Sequence, residues 1–161
     1  MIMHFLLDSS PLGLLSNPSA SSEVLEITQW SRDCILAGHR LYIPEIIDYE
    51  LRRELVRAGK NQGVAKLDAL AQVFNYLPLN TSDMIRAAEL WALARKQGFQ
   101  TGDPKKLDID AILCAQALNL PFPQDQIVVV TSNMRHLSNF VNSENWTNTA
   151  PANWTNIAPA N

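Results

Sequence analysis

Residues 127–130 read Ile-Val-Val-Val, four β-branched side chains in succession. Such residues are stiff at χ1 and suit a pleated strand. No polar residue interrupts the run, so neither face of the strand can look onto water. A central strand of a parallel sheet has this pattern, because crossover helices cover both of its faces. The run stops at Thr131-Ser132-Asn133, where the chain leaves the sheet through polar residues.

The remaining sequence supplies partners for that strand. Met1–Leu7 reads as a buried strand ending at Asp8, and Ser9-Ser10-Pro11 breaks it. Leu41-Tyr42-Ile43 is a second strand, and Tyr76-Leu77-Pro78-Leu79 a third, whose proline suggests an edge. Asn17-Pro18-Ser19 marks a loop. A helix follows over about 23–37, capped by Ser21 or Ser22, faced by Val24, Leu25, Ile27, Trp30 and Cys34, and closed by Gly38. A second helix starts at Pro44 and runs to about Ala58, with Ile47, Leu51 and Leu55 as its buried stripe. A third, over 62–74, turns Val64, Leu67, Leu70 and Phe74 inward. A fourth, capped by Thr81 or Ser82, reaches about Gln97. Residues 98–107 form a polar loop, and a last helix opens near Asp108 and runs to about Leu118. Strands alternating with helices imply an α/β sandwich around a mainly parallel sheet.

A chain of 161 residues suits one core. That domain is expected over 1–143. Residues 144–161 contain a near-exact duplication, NWTNTAPA at 145–152 and NWTNIAPA at 153–160, and are expected to be an extended or disordered tail. The Asn-Trp-Thr triplets match the glycosylation acceptor pattern by accident if the chain is cytosolic. Net charge is −3, so the chain lacks the basic excess of a duplex-coating protein, although local basic patches remain open to it. No basic leader followed by a long apolar run opens the sequence, and no stretch approaches the roughly 20 apolar residues of a membrane span. The expectation is a soluble, cytoplasmic protein. Cys34 and Cys114 lie in apolar helical stretches and read as small buried residues, not a disulfide.

The acids fall where such a fold concentrates chemistry. In a parallel sheet the C-terminal strand ends share one edge, and ligands bind there. Asp8 and Asn133 belong to that edge, and helix starts can bring Glu50 and Asp110 to it. Converging carboxylates repel each other unless their pKa values rise or a cation neutralises them. Oxygen donors without a histidine or cysteine cluster favour Mg2+ or Mn2+ over Zn2+. Such an ion activates water and stabilises charge developing on phosphate. Each acid also has a plain structural explanation. Asp8 can be a turn residue, Glu50 a helix-surface charge, and Asp108 and Asp110 first-turn acids favoured by the helix dipole.

Four stretches together resemble the PIN-domain nucleases, and most of all the VapC-type toxins of bacterial toxin–antitoxin pairs. They are Phe5-Leu-Leu-Asp8-Ser-Ser, Ile43-Pro-Glu-Ile-Ile-Asp-Tyr-Glu50-Leu-Arg-Arg-Glu-Leu, Leu107-Asp-Ile-Asp110-Ala-Ile-Leu-Cys-Ala-Gln-Ala-Leu, and Val128-Val-Val-Thr131-Ser-Asn133-Met-Arg-His136-Leu. The resemblance spans 4–141. It implies a PIN-like three-layer sandwich, Mg2+- or Mn2+-dependent cleavage of RNA, a homodimer, and a small antitoxin as partner. By motif, Asp8, Glu50 and Asp110 take the family's acidic, metal-holding positions. Asn133 takes a fourth that is often Asp and offers less charge here. Thr131 resembles the hydroxyl residue that orients the first acid.

Asp108 lies two residues from Asp110, so on a helix the two face nearly opposite ways, and Asp108 is left as a cap or outer-shell acid. Glu54, one turn beyond Glu50, is its substitute. His136 is a general-base candidate or a surface residue. Arg135 and the group Arg52, Arg53, Arg57 and Lys60 are phosphate contacts or ordinary helix charge. The tryptophans read as core or interface residues. Two other classes remain. A non-catalytic PIN-fold module binding RNA or protein is kept open by Asn133. A haloacid dehalogenase-type phosphatase needs a second Asp where this chain has Ser10.

Overall fold

The computed structural model describes residues 1–98, 104–133 and 139–149. Residues 99–103 of the polar loop expected at 98–107, the candidates Arg135 and His136, and the duplication from residue 150 onward lie outside them.

The first strand, β1, is His4–Leu7, with all four residues buried. Two helices follow, α1 at Ser9–Ser16 and α2 at Ser22–Leu36. Strand β2 (Arg40–Pro44) leads to α3 (Glu45–Arg57) and α4 (Asn61–Val73). Strand β3 (Asn75–Leu77) leads to α5 (Thr81–Lys96) and α6 (Pro104–Leu118). Strands β4 (Ile127–Val130) and β5 (Ser143–Glu144) complete the sheet. The strand order is β3-β2-β1-β4-β5, and every pairing is parallel. The expected α/β sandwich is therefore the fold observed, with the Pro78 strand on an edge. The chain winds outward from β1 through β2 to β3, then returns to the other side of β1. The winding direction reverses between β1 and β4, the place where an open parallel sheet leaves a crevice.

Local rules account for the differences from the sequence reading. Ser9-Ser10-Pro11 ends the strand as expected, and it also starts α1, a helix absent from the sequence reading. Asp8 caps it, accepting the Ser9 N–H at 2.8 Å, and Leu12 N–H makes the first helical bond, to Asp8 O at 3.1 Å. Pro11 thus occupies the first turn, where an N–H has no helical partner to lose. Helix α5 is capped by Asn80, one residue earlier than expected, in a reciprocal box with Asp83. Helix α6 begins at Pro104, four residues before its expected start, as a proline-initiated helix can. Leu25, expected on the buried face of α2, is 58% exposed, while Val24, Ile27, Trp30 and Cys34 are buried as expected.

The boundary expected at 143/144 falls inside β5, and residues 145–149 pack on the domain. Trp146 lies against Trp30, with ring centroids 6.4 Å apart. The Trp30 indole N–H reaches both Thr149 O, at 2.9 Å, and Thr149 Oγ1, at 2.8 Å. Ending the chain after Glu144 removes both contacts and strands a buried donor. The expected loss is on the order of 2 kcal/mol in urea unfolding. An unchanged urea midpoint would show that the 145–149 segment does not hold the fold together.

Candidate metal centre at the ends of the central strands

Asp8 and Thr131 are the first residues beyond β1 and β4. Asp8 is 3% exposed and Thr131 2%. Thr131 Oγ1 donates to Asp8 Oδ2 at 2.7 Å, and Asp8 Oδ1 accepts from Ser9 N–H. The Thr131 hydroxyl also accepts the Asn133 backbone N–H at 2.9 Å. Its single proton therefore goes to Asp8, which is held as an acceptor in one orientation. This is the orienting geometry that the motif resemblance implied for Thr131.

Two helices bring further acids toward this point. Asp110, on α6, is buried, and its Oδ2 has no hydrogen-bond partner. Burial raises its pKa to about 7; the Lys106 ammonium pulls it down, and the charges of Asp8 and Glu50 push it up. Glu50, on α3, has a buried Oε1 without a partner, and its Oε2 lies 4.0 Å from Lys106 Nζ. Orphaned oxygens on two mutually repelling carboxylates are costly unless a cation reaches them.

An ion-pair network, buried at Asp48 and open to solvent at Asp68, holds α3 in place. Arg52 binds Asp48 at 3.0 Å and Asp68 of α4 at 2.8 Å. Tyr76 of β3 donates its hydroxyl to Asp48 Oδ2 at 2.8 Å. Helix α3, and Glu50 with it, is tied to the helix beside it and to the sheet edge.

The other candidates separate from this group. Glu54 is exposed and pairs with Arg57 at 2.9 Å. Asp108 is exposed and borders a cleft of about 320 Å3 between α5 and α6, beside Met84, Trp91 and Ala111. It stands apart from Asp110, as the helical rotation required. The basic group on α3 is engaged locally: Arg52 and Arg57 in the pairs above, and Arg53 over the Tyr49 ring at 5.2 Å. Cys34 and Cys114 are buried and unpaired. Burial pushes the Cys34 thiol up to about 12, and burial with the charges of Asp110 and Asp8 pushes Cys114 up as well, so neither is a nucleophile.

Sequence reasoning missed Lys106, Asp48 and Tyr76. Asp48 and Arg52 were readable as an i,i+4 pair. Lys106 stands at the same spacing from Asp110, a relation visible only once the helix is known to start at Pro104.

The donor set fits a hard divalent cation, being carboxylate oxygen throughout, with two of those oxygens unsatisfied. Among the described residues no three His, Cys, Asp or Glu side chains already stand close enough to enclose an ion. That is compatible with Mg2+, which keeps several waters and often takes only one or two carboxylates directly.

No protein-family model matches the sequence, and no curated protein matches it. Solved structures do. A chain of VapBC2 from Rickettsia felis, bound to a DNA fragment from its promoter, aligns with a TM-score of 0.63 and 18% identity, over 89% of this chain and 99% of that one. DNA-bound VapBC from Salmonella typhimurium gives 0.60 and 16%, over 90% and 99%. VapBC-1 from nontypeable Haemophilus influenzae gives 0.58 and 18%, over 90% and 99%. The chain has the PIN-like fold of VapC proteins, and at these identities the likeness is one of fold.

The raised pKa of Asp110 has a signed consequence. Between about pH 4 and pH 7 the folded protein keeps a proton on Asp110 that the unfolded chain releases. The contribution of this group to stability therefore falls as pH rises through that window. In chelator, Asp110→Asn should match the parent at pH 4 and exceed it at pH 8 by on the order of 3 kcal/mol. Chemical unfolding at the two pH values measures this, and a difference that does not grow with pH would refute the burial of a charge at Asp110.

Proposed function

We propose that the chain is a divalent-metal-dependent endoribonuclease, the toxin of a type II toxin–antitoxin pair, with Asp8, Glu50 and Asp110 as its Mg2+ or Mn2+ residues. The observation that carries this reading is Asp110, a buried acid with an unpartnered oxygen that feels the charges of Asp8 and Glu50. The PIN-like fold shared with VapBC structures supports it. When bound, the ion supplies an activated water and charge stabilisation at the scissile phosphate. The chain's own residues do the rest. Thr131 fixes the Asp8 carboxylate toward the crevice. The Asp48–Arg52 network fixes α3, so that Glu50 approaches from one side while α6 presents Asp110 from another. Asn133, whose backbone N–H bonds Thr131 Oγ1, is proposed to hold a water with its neutral amide.

The solved neighbours are VapBC structures, and the resemblance to VapC-type toxins makes a small antitoxin the proposed partner here. A homodimer is proposed on the exposed apolar side chains of α5: Met84, Ile85, Trp91 and Leu93. No described helix is long and apolar enough to cross a membrane, and the proposed location is the cytoplasm.

Purified protein should cleave single-stranded RNA with Mg2+ or Mn2+ and stop in chelator. Asp8→Asn, Glu50→Gln and Asp110→Asn should each lower cleavage about a hundredfold or more while the fold survives. Glu54→Gln and Asp108→Asn should leave it within about threefold, because both residues face away from the group. Cleavage unchanged in chelator, or intact in all three core variants, would defeat the proposal and favour a non-catalytic binding module.

Assembly is read by light scattering at tens of micromolar. The parent should be a dimer, and Ile85→Asp, on the exposed face of α5, should shift it to monomer. A parent that is monomeric throughout would remove the dimer.

A further inference from the structure

Lys106 lies beside the acids of the candidate centre. It stands one helical turn before Asp110. Its Nζ is 4.0 Å from Glu50 Oε2, and its charge acts on Asp110 as well. At that distance it is a neighbouring charge without a fixed hydrogen bond. The lysine side chain is 33% exposed and Glu50 14%, so the pair lies at the border of the buried group. Arg52 and Arg57 are committed to Asp48, Asp68 and Glu54. The two orphaned oxygens belong to the same two acids that Lys106 faces, Glu50 and Asp110.

We propose that Lys106 is a built-in counter-ion of this centre, which offsets the charge of Glu50 and Asp110 in the ion-free protein and is displaced toward solvent when a divalent cation enters. This rests on the reading of those acids as a cation site. A single positive charge in that position has two opposite effects. It stabilises the empty centre, and it repels the incoming dication. The site then loads only when the cation is abundant enough to move the ammonium aside. Lysine suits the task better than arginine would as a fixed partner, being a point charge on a mobile stem that forms no planar fork with a carboxylate.

The experiment compares the parent, Lys106→Met and Lys106→Arg, with Asp110→Asn as control. Mn2+ binding is measured by calorimetry, and thermal stability is measured in chelator. Lys106→Met keeps the stem and removes the charge. It should bind Mn2+ roughly tenfold more tightly and melt at a lower temperature than the parent in chelator. Lys106→Arg should stay near the parent in both. Lys106→Gln gives the same readout should the methionine variant misfold. If the parent binds Mn2+ and Asp110→Asn does not, yet Lys106→Met binds no more tightly, the counter-ion role is overturned while the metal reading stands. If the parent itself takes up no Mn2+, both fall together.

Discussion

Strands β1 and β4 lie side by side at the centre of the sheet, buried on both faces. No polar side chain without a partner is tolerated along them, and their backbone groups are satisfied within the sheet, by each other and by β2 and β5. The first residues free to be polar are those where the chain leaves the sheet, and parallel pairing makes the two strands leave at the same edge. Asp8 N–H closes the ladder onto Val130 O at 2.9 Å, and one residue further on Thr131 Oγ1 donates to Asp8 Oδ2. Because the winding direction reverses between these two strands, no crossover helix closes the gap above them. The position of the candidate site follows from that arrangement.

An acid placed at such an edge is cheap only while it stays well solvated or well bonded. Asp8 is well bonded, through Ser9 N–H and the Thr131 hydroxyl. Asp110 and Glu50 are not, and each keeps an oxygen with no partner. Evolved proteins tolerate a local cost of this kind where a charge serves chemistry and the surroundings hold it in place. The surroundings here are specific. The Asp48–Arg52–Asp68–Tyr76 network anchors one helix, and the Asn80–Asp83 box with the Asn119 amide on Asp83 at 2.9 Å joins α5 to the end of the other. Lys106, beside Glu50, offsets part of that cost.

Much of the fold could be read from the chain. The β-branched run at 127–130, the acid after the first apolar run, and the helical stripe of Ile47, Leu51 and Leu55 all correspond to observed elements. The misses have physical causes. Helix α1 was hidden because proline reads as a breaker, although at the third helical position it removes no bond. Strand β5 is two polar residues, Ser143 and Glu144, with no pattern to find; it exists because β4 offers it a ladder. The docking of Trp146 and Thr149 on Trp30 was equally invisible, since a duplicated Asn- and Pro-bearing segment carries the composition of a tail.

The sequence by itself determined the parallel α/β class, the strand ends and the residue types gathered there, because hydrophobic periodicity and turn chemistry are local properties. It also placed Asp108 and Asp110 on opposite sides of a helix, since the helical rotation is set by backbone geometry alone. The tertiary structure decided which of these acids are buried together. Glu50 and Glu54 lie one turn apart on one helix and are alike in chemistry. Only the packing of α3 against α6 buries the first beside Asp110 and leaves the second outside with Arg57. Only that packing sets Lys106 against Glu50. Burial and the approach of distant charges fix the electrostatics of a site, and both depend on residues far apart in the chain that folding alone brings together.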